Sequence, residues 1–206
     1  MRKCSKVVYW LGDRLYLNIT NRCSNDCYFC LRRFKSGVGE FDLQLLREPS
    51  SEEVIRELQV VLRRKRWKEV VFCGFGEPLQ RLDCVVEVAG WLRRFWGGVV
   101  RVDTNGHGYL LNGGRDVVGE LREAGVQRVS VSLNAHDEAT YKEVCRPQFE
   151  GAFDGILEFV RRAKGAGLET EVTAVRIPEA DIKRLREIAE RLGVGFRVRE
   201  YIRCFW

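Results

Sequence analysis

Short, almost continuously apolar runs alternate along the chain with longer stretches in which apolar residues recur every three or four positions. Runs of the first kind are typical of strands buried in a parallel sheet, and stretches of the second kind are typical of amphipathic helices. The predicted strands are residues 15–19, 69–73, 99–104, 126–133, 169–175 and 196–200. The predicted helices are residues 82–96, 117–124, 153–163 and 182–192, with one more after Ser50, where Ser50 and Glu53 form a capping-box pattern. This alternation predicts an α/β fold in which helices cover a parallel sheet.

Six strands of this kind form either an open doubly wound sheet or a partial barrel, and the periodicity alone does not separate the two. In both folds ligands bind at the carboxyl ends of the strands, where the polar motifs of this chain lie. Residues 9–17, with Gly12 and Asp13 at their centre, fit a short hairpin that leads into the first strand. Residues 32–49 are expected to form an irregular loop over the site. No repeat or linker interrupts the pattern, so we expect a single domain over residues 1–206.

Composition and charge narrow the class of protein. With 206 residues, 45% of them hydrophobic and 31% charged, the chain has the composition of an ordinary globular protein. It has no apolar stretch long enough to span a bilayer and no signal-peptide core, so we expect a cytoplasmic protein without a membrane partner. The net charge of +6 permits a nucleic-acid partner but does not require one, because the basic residues are distributed along the predicted helices.

Three of the eight cysteines lie within eight residues, in the pattern C-x3-C-x2-C formed by Cys23, Cys27 and Cys30. In a reducing compartment, clustered thiols bind metal more often than they form disulfides. Three thiolates on one tight loop can hold three irons of a [4Fe–4S] cluster and leave the fourth iron for an exogenous ligand. A structural zinc site needs four protein ligands, and only His107 and His136 could supply imidazole. A zinc site, a purely electron-carrying cluster and buried structural cysteines remain the alternatives.

The cysteine pattern, with the aromatic Phe29 before its last cysteine, resembles the signature of the radical SAM superfamily. Four runs narrow the resemblance to the TatD-associated radical SAM proteins. They are residues 17–23, 72–78, 130–135 and 145–147. The resemblance covers nearly the whole chain and implies the radical SAM core, a partial (β/α)6 barrel of parallel strands.

The resemblance also implies an activity and partners. A [4Fe–4S] cluster on the three cysteines would cleave S-adenosylmethionine reductively to a 5′-deoxyadenosyl radical, which abstracts hydrogen from a substrate that the sequence does not identify. A low-potential donor such as ferredoxin or flavodoxin would supply the electron. A small core with an open mouth suits a macromolecular substrate, although a partner subunit could equally close the mouth. The rival functions are an iron–sulfur electron-transfer or redox-sensing protein and a zinc-dependent nucleic-acid-binding module.

The run after the second predicted strand, Gly-Phe-Gly-Glu-Pro, is similar to the Gly-Gly-Glu motif of the superfamily. That motif receives the amino group of S-adenosylmethionine, which assigns Phe75, Gly76 and Glu77 to cofactor binding. The run departs from the motif because Phe75 stands where a glycine is common. A tight strand-to-helix turn is the purely structural interpretation of the same residues.

Polar residues at the next two strand ends are also implied to bind the cofactor. Asp103 and Asn105 belong to an Asp-Thr-Asn-Gly string that resembles one in glycyl-radical-enzyme activases, where the aspartate helps to bind a monovalent cation. The structural interpretation is an Asn-Gly turn. Ser132 and Asn134 alternate with apolar residues, so their side chains should face the same way. If they face the barrel interior, they can bind the ribose hydroxyls.

The remaining candidates are single residues. Phe29 is expected to shield the cluster and to present backbone groups to the adenine, and Arg176 could meet the methionine carboxylate or lie on the surface. Arg197 or Arg199 could line the substrate end of the site. The roles of four further cysteines stay open because their spacing forms no second cluster motif; these are Cys73, Cys84, Cys145 and Cys204.

Overall fold

The structure, a computed structural model, describes residues 6–202. The strands are β1 (Val8–Leu11), β2 (Arg14–Leu17), β3 (Gly37–Val38), β4 (Phe41–Asp42), β5 (Glu69–Phe72), β6 (Val99–Thr104), β7 (Arg128–Ser132), β8 (Glu169–Arg176) and β9 (Gly195–Glu200). The α-helices are α1 (Ser51–Leu62), α2 (Leu82–Phe95), α3 (Gly108–Leu111), α4 (Val117–Ala124), α5 (Glu138–Cys145), α6 (Ala152–Gly165) and α7 (Ile182–Leu192). Short 3-10 helices occupy Leu31–Arg33 and Pro78–Arg81.

Seven strands form one sheet in the order β1-β2-β5-β6-β7-β8-β9, and β3 and β4 form a separate hairpin. β1 pairs antiparallel with β2, while every other pair in the large sheet is parallel. The parallel strands therefore follow one another in chain order, without the reversal that defines a doubly wound sheet. Right-handed crossovers then place the connecting helices on one face, as in a partial barrel. The six predicted strands and the predicted first hairpin are confirmed.

Local sequence signals explain where the main helices begin and end. The Ser50 side chain accepts from the Glu53 N–H, and the Glu53 carboxylate accepts from the Ser50 N–H, which completes the predicted capping box of α1. α7 begins after Asp181, whose carboxylate accepts from two backbone N–H groups, and ends at Gly193 in the left-handed conformation. Similarly, α4 begins after Asp116, whose carboxylate accepts from the Gly119 N–H, and ends at Gly125 in the left-handed conformation.

The two faces of the large sheet differ in their chemistry. On β6, Val100 and Val102 are fully buried, whereas Arg101 and Asp103 alternate with them and face the opposite, concave side. The buried face belongs to one continuous hydrophobic core shared with the helices. The concave face is therefore the polar interior of the partial barrel.

A buried carboxylate joins the amino ends of the strands on the concave face. Glu69, only 2% exposed, lies 2.7 Å from Arg14 Nε, 3.4 Å from Arg101 Nη1 and 3.7 Å from Arg128 Nη1. These residues come from β5, β2, β6 and β7, so the ion pairs link four adjacent strands. The hydrophobic pattern does not reveal this network, because it concerns the polar positions that the pattern ignores.

Several short elements were not predicted, namely α3, the two 3-10 helices, α5 and the β3–β4 hairpin. α5 has eight residues, as α4 has, but no glycine follows it to mark its end, as Gly125 does for α4. β3 and β4 form a short hairpin within residues 32–49, which the sequence predicted to be an irregular loop. None of the helices that the structure describes has the length and the apolar run needed to pass through a lipid bilayer.

Candidate functional site

A cleft of about 330 Å³ opens at the carboxyl ends of the parallel strands, where α/β proteins usually bind their ligands. Every residue that the sequence assigned to the site lines this cleft, except Phe75 and Arg176. The assigned residues that line it are Cys23, Cys27, Phe29, Cys30, Gly76, Glu77, Asp103, Asn105, Ser132 and Asn134. The fold thus brings together side chains from four neighbouring strands and the loops that follow them.

The three cysteines lie on the loop after β2, and hydrogen bonds fix the shape of that loop. The Cys30 N–H donates to the Cys27 carbonyl (3.2 Å), which makes a tight turn between these two residues. Cys23 Sγ accepts from the Asn25 backbone N–H (3.5 Å) and from the Asn105 side-chain amide (3.8 Å). All three cysteines line the same cleft, so their thiols can serve one ligand.

Two arginines directly after the cysteines bind the carbonyl groups of the loop. Arg32 donates to the Asn25 carbonyl (3.1 Å), while Arg33 donates to the Cys27 carbonyl (3.0 Å) and pairs with Asp26. An irregular loop leaves such carbonyls without a helix or strand partner, so side chains must supply the donors. Sequence reasoning placed Arg32 and Arg33 in a covering loop and did not foresee this supporting role.

Burial and neighbouring groups shift the pKa values of the three thiols in different directions. Burial raises the pKa of Cys23 to about 12 and also raises the pKa of Cys30. The pKa of Cys27 is lowered, chiefly by a hydrogen bond with the buried Cys145 thiol. Because metals bind thiolates, loading this loop with a metal group would release protons.

Gly74 and Gly76 let the chain after β5 pack directly against the segment that leads into the cysteine loop. A Cβ atom at Gly74 would lie 2.1 Å from Asn18 Oδ1. A Cβ atom at Gly76 would lie 2.5 Å from the carbonyl oxygens of Thr20 and Arg22. No side chain fits at such distances, so both positions require glycine for close packing, independently of any ligand.

The Glu77 carboxylate, on a residue only 2% exposed, is bound by donors of its own chain. It accepts from the Leu79 N–H (3.0 Å), the Thr104 hydroxyl (2.8 Å) and the Asn105 N–H (2.6 Å). Burial raises the pKa of Glu77 to about 7, although these hydrogen bonds favour the charged form. In the structure Glu77 therefore fixes the loop after β6 against the turn after β5. Its contact with the cofactor amine stays a prediction.

Two buried polar side chains beneath the cysteine loop were not assigned to the candidate site by the sequence. His107 contacts Ser24 Oγ through Nδ1 (2.9 Å) and the Tyr141 hydroxyl through Nε2 (3.1 Å). Tyr141 in turn accepts from the Asn25 side-chain amide (2.7 Å). Burial lowers the pKa of His107 to about 4, which keeps the imidazole neutral at pH 7. Its place two residues after Asn105 was a usable signal, whereas Tyr141 lies on the unpredicted helix α5.

Asp103 lies on the concave side of β6 beside a cation and a thiol. Its carboxylate is 3.0 Å from Arg101 Nε, and burial raises its pKa although the Arg101 charge opposes the shift. Burial, assisted by the charge of Asp103, raises the pKa of Cys73 to about 12, and Cys73 also lines the cleft. The chain itself thus supplies a positive charge at this carboxylate. The monovalent cation stays a prediction.

Ser132 and Asn134 are each bound to a neighbouring strand. Arg199 Nη2 donates to Ser132 Oγ (2.7 Å) and to Thr173 Oγ1 (3.0 Å), and Asn134 Oδ1 accepts from the Val175 N–H (3.0 Å). Arg199 also lines the cleft, and it forms no ion pair with a carboxylate within residues 6–202. Of the two alternating arginines on β9, Arg199 is therefore the one at the cleft.

Two residues assigned to cofactor binding lie outside the cleft. The Phe75 ring packs against a small hydrophobic cluster that contains Tyr9. Arg176 is largely exposed and pairs with Glu200 (3.0 Å). Side chains alternate along β8, so Val175 lines the cleft and Arg176 turns away from it. The Phe75 ring and the Arg176 side chain thus lie apart from the other assigned residues, and the contacts of these two residues with the cofactor stay predictions.

The three thiols border the cleft together with a buried amide oxygen. Among residues 6–202, no three Cys, His, Asp or Glu side chains, the three cysteines included, lie closely enough together to hold a metal ion. The buried amide oxygen is Asn25 Oδ1, which has no hydrogen-bond partner in the described part of the chain. Of the other cysteines, Cys84 is buried on α2, and Cys204 lies outside the described residues.

Comparison with known sequences identifies relatives of the chain. Residues 17–192 match the family model described as the Radical SAM superfamily. A GTP 3′,8-cyclase of Rhodopirellula baltica is 30% identical over 189 residues, which cover 88% of this chain and 46% of that protein. A probable GTP 3′,8-cyclase of Saccharolobus solfataricus is 29% identical over 186 residues, which cover 89% of this chain and 54% of that protein. The chain thus spans about half the length of the curated relatives it matches.

Solved structures share the fold. SuiB of Streptococcus suis bound to the precursor peptide SuiA matches with a TM-score of 0.71 at 16% identity, over 95% of this chain and 40% of that chain. TYW1 with a bound lysine-pyruvate adduct matches with a TM-score of 0.67 at 18% identity, over 93% of this chain and 66% of that chain. At these identities the likeness concerns the fold alone. The narrower resemblance to the TatD-associated proteins stays a prediction.

Proposed function

The chain belongs to the radical SAM superfamily of enzymes, and from this membership we propose that it holds a [4Fe–4S] cluster on Cys23, Cys27 and Cys30 and cleaves S-adenosylmethionine. When bound, these cofactors supply a one-electron cleavage of the sulfonium, which gives methionine and a 5′-deoxyadenosyl radical that takes hydrogen from a substrate. The observation that carries the proposal is the shared cleft, which borders the three thiols and polar residues from three further strands.

The residues of the chain would bind and shield the two cofactors. The three thiols of the loop after β2 would hold three irons of the cluster, so that the fourth iron would take a ligand from outside the chain. The nearly buried Phe29, next to Cys30, would limit the access of water to a cluster held by the three thiols. Asp103, Ser132 and Asn134 offer polar groups along the rest of the cleft, where the cofactor would extend.

The same cleft argues against an electron carrier without a reaction of its own. Such a protein needs the cysteine loop, but it has no need of a space of about 330 Å³ lined by polar groups beside the loop. One continuous hydrophobic core extends from β1 to β9 and supports a single radical SAM core domain. Ferredoxin or flavodoxin remains the proposed electron donor.

For the substrate, the names of the relatives suggest a first compound to test. Because two relatives are named GTP 3′,8-cyclase or probable GTP 3′,8-cyclase, GTP is our first candidate. Arg199 is the guanidinium that we expect to meet the phosphates of GTP, because the other charged side chains lining the cleft within the described residues are the carboxylates of Glu77, Asp103 and Glu200. The chain covers only about half of these relatives, so a macromolecular substrate remains the second candidate.

The test is an anaerobic assay of 5′-deoxyadenosine after reconstitution with iron and sulfide, reduction with dithionite and addition of S-adenosylmethionine, with and without GTP. We expect 5′-deoxyadenosine from the wild type, and little cluster absorption and no product from Cys27→Ala. Cys84→Ala is the matched control, because its thiol is buried on α2 and does not line the cleft. It should keep both the cluster and the product.

Two results would contradict the proposal. A Cys27→Ala variant that retains the full cluster would show that this loop is not the ligand set. A complete cluster in a protein that does not bind S-adenosylmethionine in calorimetry would favour the electron carrier instead.

A further inference from the structure

A buried chain of hydrogen bonds runs beneath the cysteine loop from one side to the other. It begins at Asn105, whose side-chain amide donates to Ser24 Oγ (2.9 Å), passes through His107, and reaches the hydroxyl of Tyr141. It ends at Asn25, whose side-chain amide donates to that hydroxyl (2.7 Å). Each of the five residues is at most 8% exposed. Water therefore has little access to these side chains and cannot readily replace a lost hydrogen-bond partner.

His107 connects the two halves of this chain because it is neutral. A neutral imidazole donates through one ring nitrogen and accepts through the other, so it can serve both the Ser24 and the Tyr141 hydroxyls. Either tautomer orients both hydroxyls at once. The position of Ser24 is thereby coupled to that of Asn25 through a side chain 83 residues away from Ser24 in sequence.

Ser24 and Asn25 are the two residues that directly follow Cys23. The Cys23 sulfur accepts from the Asn25 backbone N–H (3.5 Å) and from the Asn105 amide (3.8 Å). Both donors belong to residues that the buried chain holds. Loss of the Tyr141 hydroxyl removes the partner of the Asn25 side chain, and loss of the Ser24 hydroxyl removes a partner of the Asn105 amide. Either loss weakens the control over one of the two N–H···S contacts.

We propose that His107 and Tyr141 are positioning residues for the cysteine loop, and that their hydrogen-bond chain keeps two N–H donors directed at the Cys23 sulfur. The expected effect on the reduction potential rests on the proposed function, whereas the positioning of the loop does not. Hydrogen bonds to the ligating sulfurs are one of the factors that set the reduction potential of an iron–sulfur cluster. N–H donors stabilise the more negative, reduced state, so weaker contacts should lower the potential.

The test compares Tyr141→Phe with Tyr109→Phe. Both substitutions remove one hydroxyl and keep the ring, but the Tyr109 hydroxyl lies 3.3 Å from Asp116 Oδ1, a residue that does not line the cleft. The first readout is the rate at which iodoacetamide alkylates Cys23 in the cluster-free protein, followed by mass spectrometry. Weaker N–H···S contacts stabilise the reactive thiolate less, whereas a looser loop exposes the sulfur more, so we expect Tyr141→Phe to change that rate at least about fivefold in one direction or the other. Tyr109→Phe should leave it within about twofold of the wild type.

The second readout is the midpoint potential of the reconstituted cluster, measured by redox titration with electron paramagnetic resonance. We expect a roughly tenfold shift of the equilibrium toward the oxidised cluster in Tyr141→Phe, which corresponds to about 59 mV for one electron. Ser24→Ala interrupts the hydrogen-bond network at its other end by removing the hydroxyl that contacts Asn105 and His107, and it should shift both readouts in the same direction as Tyr141→Phe. It also serves if Tyr141→Phe does not fold.

The proposal is overturned if Tyr141→Phe and Ser24→Ala behave like Tyr109→Phe in the alkylation of Cys23. If alkylation changes but the potential does not, the chain positions the loop without influencing the cluster, and the claim about directed N–H···S contacts is wrong. If the wild type assembles no cluster, the proposed function fails, while the alkylation rates still decide whether His107 and Tyr141 position the loop.

Discussion

Two buried titratable side chains of the site, Glu77 and His107, have pKa values that are shifted in opposite directions. Burial raises the pKa of Glu77 from 4.5 to about 7 and lowers the pKa of His107 from 6.5 to about 4. Both shifts have the same cause, because a nonpolar environment disfavours the charged form of either group. Each shift makes the stability of the folded chain depend on pH, but with opposite sign.

Between pH 4.5 and 7 the folded state binds the Glu77 proton more tightly than the unfolded state, so this group lowers stability as the pH rises. Between pH 4 and 6.5 the unfolded state binds more protons at His107, so this group raises stability as the pH rises. Each contribution is roughly 3 kcal/mol. In the wild type the two largely cancel where the ranges overlap.

The variant Glu77→Gln should reveal this cancellation. In cluster-free protein, we expect its free energy of unfolding, relative to the wild type, to increase by roughly 3 kcal/mol from pH 4.5 to 7, as measured by urea denaturation. The variant His107→Asn should show the opposite trend between pH 4 and 6.5. A difference between Glu77→Gln and the wild type that does not change with pH would mean that Glu77 ionises as readily in the folded chain as in the unfolded one.

At this scale the sequence predicted residue types well and side-chain directions less well. Cys23, Glu77 and Asn105 reach the cleft because they follow strands whose carboxyl ends meet there. Arg176 does not, because the direction of a strand side chain depends on its register, and a shift of one residue reverses it. The sequence offered no independent measure of the register of β8.

At the scale of elements, the short helix α5 supports the cysteine loop through backbone contacts. The Asp26 N–H donates to the Cys145 carbonyl (2.9 Å), and the Tyr28 N–H donates to the Val144 carbonyl (3.2 Å). These carbonyls lie in the last turn of α5, where an α-helix leaves its acceptors without partners of its own. The helix end and the irregular loop thus satisfy each other's backbone groups.

Weakening α5 at its start should therefore loosen the cysteine loop. Asp137 caps α5 by accepting from the Thr140 N–H, and Asp116 caps α4 by accepting from the Gly119 N–H. We expect Asp137→Ala and Asp116→Ala each to lower the free energy of unfolding by about 1 kcal/mol. Only Asp137→Ala should speed hydrogen exchange at the amides of Asp26 and Tyr28. Equal exchange rates at these amides in the two variants would argue against the support of the cysteine loop by α5.

The sequence predicted the long helices and missed this one for a physical reason. In α7 the apolar positions repeat over eleven residues between an aspartate and a glycine, so that both the period and the ends are visible. α5 spans only eight residues, and its buried residues are Tyr141, Val144 and Cys145. It is followed by Arg146 in the left-handed conformation and not by a glycine, so the sequence does not mark where it ends.

At the scale of the whole molecule, the order of the strands distinguishes a partial barrel from a doubly wound sheet. The same alternation of strands and helices produces both folds, so the apolar pattern carries no information about the order. The polar face of the sheet does carry information about the strand order. Glu69, Arg101 and Arg128 lie on adjacent strands and meet on the concave side, which suits an interior that curves around charged groups.

Neutralising this carboxylate should destabilise the whole sheet. Glu69→Gln leaves the guanidinium groups of Arg14, Arg101 and Arg128 without their shared buried counter-ion, and we expect the free energy of unfolding to fall by roughly 3 kcal/mol. The control is Glu169→Gln, whose side chain is 69% exposed and pairs with Arg128. It should change stability by less than about 1 kcal/mol. Similar losses in both variants, measured by urea denaturation, would contradict a special role of the buried carboxylate.

The contact between Asn25 and Tyr141 joins residues 116 positions apart. Contacts that close such a long stretch of chain form slowly, because the intervening segments must first become ordered. During synthesis the cysteines leave the ribosome well before α5 does, and in that interval their thiols lack the supports described above. Iron and sulfide should therefore enter a sheet that has already folded, so that maturation of this protein is a late event and not the nucleus of its folding.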